Sequence, residues 1–296
     1  MNRRAFLSTF PALSSLSLLP WGLVAARPTF YRIVQSGDPD ALLCAWKFEL
    51  AVSLSLQKKP IGAVIAEVGK SFIGTEYLAN GIEAPGEERL VVNMRGLDCV
   101  SFCENAVVLA RCIKKNAMSF DEYKRELQFL RYRDGVIEGY PSRLHYFTDY
   151  IYDGEKKGIW RDVTKTSGVS YRKQINFMST HPNAYRQLKE HPELVQVIAQ
   201  QEEEISKREL YYIPKSSVHA IEHEIHDGDI LAITTDIEGL DVSHTAIAIR
   251  QRERLHMMHA PDVGYKVMIT ELPLAEYLAK NKRQTGIIVA RAVEPV

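Results

Sequence analysis

The stretch from Asp229 to Ala292 constrains the fold more than any other part of the chain. Asp229–Asp236, His244–Arg250, Leu255–Ala260, Tyr265–Thr270 and Gly286–Ala292 alternate in character and are rich in Ile, Val and Thr. That is the pattern of antiparallel strands. The preceding chain reads differently. Residues 38–57 suit a helix opened by Asp38, and a strongly helical pattern runs from Asp98 through Lys115. A further helix over 119–133 starts at Ser119 with Glu122 three residues on, a capping-box pattern. Residues 181–210 read as a polar helix or helix pair broken by Pro192, residues 90–94 as a short strand, and residues 134–180 as irregular. Helices first and sheet last predict an α+β fold rather than alternating βαβ units. No repeat, low-complexity segment or linker interrupts residues 27–296. They read as one domain, with a largely helical elaboration over about 113–215.

The first residues do not belong to that pattern. Arg3-Arg4 is followed by an apolar, Ser-rich run to Val24 and by the small residues Ala25 and Ala26. This predicts a signal peptide over residues 1–26 and an exported, periplasmic protein. Asn2-Arg3-Arg4-Ala5-Phe6-Leu7 resembles a twin-arginine signal. A Sec signal is the alternative, and an uncleaved anchor is disfavoured by Pro11, Pro20 and the serines. Lys+Arg and Asp+Glu each number 37, so no global basic field exists to hold nucleic acid. Four cysteines in 296 residues are too few for a disulfide scaffold, and their spacing matches no zinc pattern.

One cysteine has a position suited to chemistry. Asp98 is a good N-cap residue and an apolar-periodic run follows, which puts Cys99 in the first turn of a helix. Unpaired N–H groups there favour an anion, so the thiol pKa is expected to fall. A thiolate attacks carbonyls, and the same N–H groups suit a developing oxyanion. Cys103 and Cys112 continue at core-facing intervals and read as small buried hydrophobes.

Among nine histidines His244 stands out because it opens an alternating strand, with Ala246 and Ala248 on its own face and Thr245, Ile247 and Ile249 on the other. Small neighbours leave room for a helix or a substrate. Cysteine early and histidine about 145 residues later is the chain order of papain-like enzymes. A histidine base needs an orienting partner. His256 and His259 on the next strand are both candidates. They face opposite sides, and hairpin loop length decides which of them shares the face of His244. His219, His223 and His226 offer no third metal ligand, and neither a metal nor another cofactor is expected.

Gly96-Leu97-Asp98-Cys99, Gly228-Asp229-Ile230, Ser243-His244-Thr245-Ala246-Ile247 and His259-Ala260 together resemble the NlpC-type papain-like cell-wall hydrolases. The chain is more closely similar to the N-acetylmuramoyl-L-alanine amidase-like family within them. Arg131-Tyr132-Arg133-Asp134-Gly135, Gly139-Tyr140-Pro141-Ser142-Arg143-Leu144-His145-Tyr146-Phe147 and Asn176-Phe177-Met178-Ser179 carry that likeness. The resemblance implies a papain-like fold with the cysteine helix on an antiparallel sheet. It implies a triad of Cys99, His244 and His259, Tyr77 near substrate or oxyanion, and cleavage of an amide in peptidoglycan or its fragments. Tyr140, Ser142 and Arg143 are then expected at the substrate, Arg143 pairing either with a stem-peptide carboxylate or within a structural salt bridge. Asp98 reads first as a cap and second as a substrate contact. Competing readings are a γ-D-glutamyl peptidase on the same triad, an inactive binding protein on the same scaffold, and an acyl transferase.

Overall fold

The computed structural model describes residues 37–264 and 266–296. The expected signal peptide, residues 1–26, lies outside the described residues. Among them no helix is long and apolar enough to cross a membrane.

The protein has a mixed α/β fold. The helices that build it are α1 (Pro39–Ser53), α2 (Ile61–Lys70), α3 (Cys99–Lys114), α4 (Phe120–Arg131), α5 (Phe147–Lys156), α6 (Leu194–Ser206) and α7 (Leu274–Lys280). The expected caps are present. The Asp38 carboxylate accepts from the N–H groups of Asp40 and Ala41, and the Ser119 hydroxyl accepts from the N–H of Glu122. Residues 90–93 form no strand. Instead β1 (Glu76–Tyr77) and β2 (Gly96–Leu97) pair in parallel, which sets Tyr77 beside Leu97, two residues before Cys99. The stretch expected to be irregular contains α5 and β3 (Trp160–Asp162).

The main sheet runs β4 (Val169–Ser170), β5 (Tyr211–Pro214), β10 (Gln284–Ala292), β6 (Ile230–Thr235), β7 (Val242–Gln251), β8 (Arg254–His259), β9 (Met268–Ile269), and β3 joins it along β10. Neighbouring strands of this sheet pair antiparallel. Segment 113–215 therefore supplies three strands to the sheet, besides its helices.

Both faces of the sheet are covered, so β6 is buried at every residue. Ile230, Ala232, Ile247, Ile249 and Met258 face the larger core with α2 and α3. Leu231, Ile233, Ala246, Ala248, Leu255 and Met257 face a smaller core closed by Leu274 and Leu278 of α7. The cysteine helix α3 thus packs on the Thr245–Ile247–Ile249 face, not on the alanine face where small residues had suggested room. Gly228 explains the Gly-Asp-Ile motif structurally. It holds φ +87°, and a Cβ there would overlap the backbone of Gly62 on α2. Asp229 accepts two bonds from Arg291, at 2.9 and 2.7 Å, tying the start of β6 to β10.

Candidate active site

Cys99 is the first residue of α3, and its cap is reciprocal. The Asp98 carboxylate accepts from the Ser101 N–H at 2.7 Å, and the Asp98 N–H donates to the Ser101 hydroxyl at 2.9 Å. From Ser101 to Ile113 every residue of α3 is buried, so the helix start is held rigidly against the sheet. The Thr245 hydroxyl donates to the Cys99 carbonyl at 2.8 Å and fastens this start to β7. Thr245 also stands near enough to the thiol to favour its ionised form. This residue was not anticipated as part of the site. The signal was present in the alternation that turns it away from His244 and toward the helix.

His244 follows a bulge in β7, where the pairing with β6 skips Ser243. The hairpin to β8 has a two-residue loop, with Gln251 opposite Arg254. That register sets His259 on the face of His244, one pair along. The two rings meet edge to face, with His244 Nε2 and His259 Nδ1 2.8 Å apart. His256 is turned away and bonds the Thr270 carbonyl through Nδ1 at 2.8 Å. Cys99 and His244 line one cavity of about 250 Å³, shared with Asp98, Thr245, Asp241, Tyr140, Arg143 and His145.

The remaining expected residues divide. Arg143 is buried and ion-paired with Glu83, with Glu88 at 3.7 Å and its guanidinium over the Tyr140 ring. The structural salt bridge is therefore the arrangement observed, on the wall of the cavity. Ser142 is not on that wall. Its hydroxyl donates to the Gly139 carbonyl and accepts from the Glu138 N–H, closing a turn. Burial raises the Tyr77 phenol, and the nearness of Cys99 and Asp98 adds to the rise. His219 pairs with Glu222 at 3.4 Å, and among the described residues no group of three or more potential ligands converges on a metal position.

The electrostatics overturn one expectation. The Cys99 thiol is pushed up to about 11, first by burial and then by the Asp98 charge, against Thr245, whose nearness favours the thiolate. Burial lowers His244 to about 4 and, with the charge of His244 second, His259 to about 3. At neutral pH the site holds a neutral thiol and two neutral imidazoles. With one proton between the two rings, His244 carrying it on Nε2 keeps Nδ1 as a free lone pair, able to take a proton from a thiol.

A charged cluster lies beneath. Arg131 binds both Glu104 oxygens, with Nη2 at 2.7 Å from Oε2 and Nε at 3.0 Å from Oε1, and donates to the Val91 carbonyl at 2.6 Å. The Tyr150 hydroxyl completes Glu104.

The amidase-like family profile (AmiA-like, N-acetylmuramoyl-L-alanine amidase-like) matches residues 67–287. The chain belongs to this family. A crystal structure named as an N-acetylmuramoyl-L-alanine amidase from Bacteroides uniformis is 38% identical, with TM-score 0.76, covering 78% of this chain and 98% of that one. A Bacteroides fragilis protein with a provisional xylanase name is 39% identical, with TM-score 0.72, over 75% of this chain and 98% of its own. A Legionella pneumophila protein at 19% identity shares the fold, with TM-score 0.66, over 90% of this chain and 98% of its own. No curated protein matches the chain. Family membership makes it an amidase-like hydrolase with a peptidoglycan-related substrate.

Proposed function

We propose that this amidase-like protein is a cysteine amidase that cleaves the bond between N-acetylmuramic acid and L-alanine in peptidoglycan or its fragments. The observation that carries the reading is the joint placement of Cys99 and His244 on one cavity, with His259 bonded to the far nitrogen of His244. In this reading the fold is of the NlpC papain-like type. His244 takes the Cys99 proton as sulfur attacks the lactyl carbonyl, and the N–H groups at the start of α3 stabilise the oxyanion. The tetrahedral intermediate collapses to a thioester, and His244 returns the proton to the departing L-alanine amine. Water, deprotonated by His244, then hydrolyses the thioester and releases the sugar acid and the Cys99 thiol. His259 holds the ring of His244 in the useful tautomer.

The glycosidase suggested by one neighbour's name fits less well. Such chemistry uses two carboxyl groups facing the scissile bond. Here Asp98 is committed to its cap, Glu83 to Arg143, and Asp241 to Thr148 and Val242. Export through cleavage of residues 1–26 belongs to the same proposal, since wall substrate lies outside the cytoplasm.

The test is mass spectrometry of products from muramyl peptides, beside a Cys99→Ala control. Release of a free peptide beginning with L-alanine, absent in the control, is expected. Cleavage after D-glutamate would move the bond while keeping the nucleophile. No cleavage of fragments or sacculi would refute the proposal.

A further inference from the structure

The proton transfer leaves His244 short of a counter-charge. When the Cys99 thiol gives its proton to Nδ1, the ring becomes an imidazolium in a buried setting, and a buried cation without a negative partner is costly. The negative charge passes from sulfur to the carbonyl oxygen, where the N–H groups of α3 receive it. A triad that ends in a carboxylate answers the imidazolium with its third member. Here the third member is His259, bonded to Nε2, and an imidazole carries no negative charge.

His244 borders two cavities, and four carboxylates share a wall with it. Three of them are committed. Glu83 pairs with Arg143. Asp98 accepts from the N–H and the hydroxyl of Ser101, both at 2.7 Å. Asp241 accepts from the N–H and the hydroxyl of Thr148, both at 2.8 Å, and from its neighbour's N–H at 2.7 Å. Asp262 is different. It follows His259 by three residues, in the segment that leaves β8, and lines the second cavity, of about 260 Å³, with Ser243, Tyr277, Arg283 and Gln284. The side chain is exposed. It accepts from the Val263 N–H at 2.9 Å and forms no ion pair among the described residues, Arg283 included. Its charge is felt on three elements, at Tyr77 of β1, His244 of β7 and Tyr277 of α7. The Tyr277 ring stands edge-on to His259, centroids 5.9 Å apart. The carboxylate therefore sits where these elements converge beside the His244–His259 pair.

We propose that Asp262 is the counter-charge for the imidazolium that forms on His244 as the Cys99 thiol gives up its proton. Asp262 is a positioning residue in this role, since it acts through His244. The other titratable groups that face the ring are Cys99 and Asp98 from the start of α3, His259 from β8, Tyr277 from α7 and Arg283 ahead of β10. Burial lowers the basicity of His244, and the Asp262 charge is what works against burial there. The same charge holds the proton on the ring until the departing amine, and later the thiolate, takes it back. The assignment rests on the reading of Cys99 and His244 as nucleophile and base, whichever amide is cut.

The test compares Asp262→Asn, Asp262→Glu and Asp262→Lys in the full chain, with a muramyl peptide as substrate at pH 7. Asp262→Asn should lower kcat about two- to fivefold, the range for an exposed charge acting on one partner, and leave KM within about twofold. Glutamate should restore the rate, and lysine should lower it further. The loss should shrink as salt is raised to about 1 M, where an exposed charge is screened. The pH profile should move against the rate. A ring with no negative charge nearby holds its proton less tightly, so the acid limb of kcat/KM in Asp262→Asn should lie about 0.3–0.7 pH unit lower. A damaged site would slow the enzyme without carrying its activity to lower pH. NMR titration of the histidine rings, without substrate, should show the same downward shift at His244. Absence of cleavage together with that shift would refute the function and keep the counter-charge. A His244 titration unmoved by Asp262→Asn overturns the proposal, whatever the substrate. A rise in KM with kcat and the acid limb unchanged would make Asp262 a substrate contact and overturn it as well.

Discussion

Removing Arg131 should damage this fold more than its distance from the reacting atoms suggests. Arg131 and Glu104 are each about 2% exposed in their side chains, and the Glu104 carboxylate has Arg131 and Tyr150 as its partners. Arg131→Met leaves a carboxylate buried on the central helix with only a phenol to answer it. Breaking one half of a buried ion pair costs about 3–5 kcal/mol, about a fifth or more of the stability of an ordinary domain. The loss of the bond to the Val91 carbonyl adds about 1 kcal/mol. The expected fall in the melting temperature is on the order of 10 °C. Urea unfolding at pH 7 measures it directly, provided the slope with denaturant is unchanged. The double variant Arg131→Met/Glu104→Gln should recover at least 1–2 kcal/mol, because the orphaned charge is gone. A loss below about 1 kcal/mol in the single variant, or a double variant no better than the single, would refute the reasoning.

Three further outcomes follow from the geometry. His259→Ala should lower kcat on the order of 10²- to 10⁴-fold with little change in KM, since the His244 ring loses what fixes its tautomer. His256→Ala should not, and equal losses in both would count against the assignment of His259. Gly228→Ala combines a left-handed φ with a Cβ against the Gly62 backbone, and should cost about 3 kcal/mol or more by thermal unfolding. Gly158→Ala, with φ +65° and open space around it, should cost only about 1 kcal/mol, and parity between the two would remove the close approach as a cause. Stability should fall on the acid side. Burial holds His145 at about 3, His244 at about 4 and His259 at about 3, whereas the unfolded chain takes up those protons below about pH 6.5. The neutral rings therefore contribute fully above that pH, and the contribution is lost as pH falls toward 4 and 3. Each histidine sets an upper bound of about 1.4 kcal/mol per pH unit. Urea midpoints that stay flat between pH 6.5 and 4.5 would show that the rings are not buried neutral.

What was legible in the sequence followed from local rules. The caps at Asp38, Asp98 and Ser119 show because an N-cap acts within three residues of itself. The strands from Ile230 onward show because a sheet imposes a period of two. What depended on distant packing was not legible. Alternation separates Thr245 from His244, but not which of the two faces meets α3. That depends on whether Ile247 and Ile249 or Ala246 and Ala248 fill the larger core. Hairpin length, settled by the turn at Arg252 with φ +57°, separates His259 from His256. The partners of Arg143, Glu83 and Glu88, lie 60 and 55 positions earlier in a stretch without regular structure. Tyr277 and Gln284 belong to no motif and reach the site only because α7 and β10 close the same end of the sheet.

The helix start was expected to lower the Cys99 thiol, and the comparison of magnitudes shows why burial wins. A helix N-terminus stabilises a nearby anion by about 0.3–1 kcal/mol, which is under one pKa unit. Burial and the Asp98 charge together move the thiol the other way, from 9.0 to about 11. Asp98→Asn separates the two effects, because asparagine caps a helix about as well as aspartate but carries no charge. The thiol pKa should then fall, by on the order of one unit. Alkylation of Cys99 by iodoacetamide at pH 8 reads the change. One unit raises the thiolate fraction about tenfold, and the lower basicity of the thiolate takes back about threefold of that. A net acceleration of about threefold is expected, with the rate of both variants still climbing as pH rises past 9. An unchanged or slower rate in Asp98→Asn would mean that the carboxylate does not oppose the thiolate. A rate already level between pH 7 and 9 in the unaltered protein would mean that the thiol is ionised before substrate arrives, and that His244 is not needed to deprotonate it.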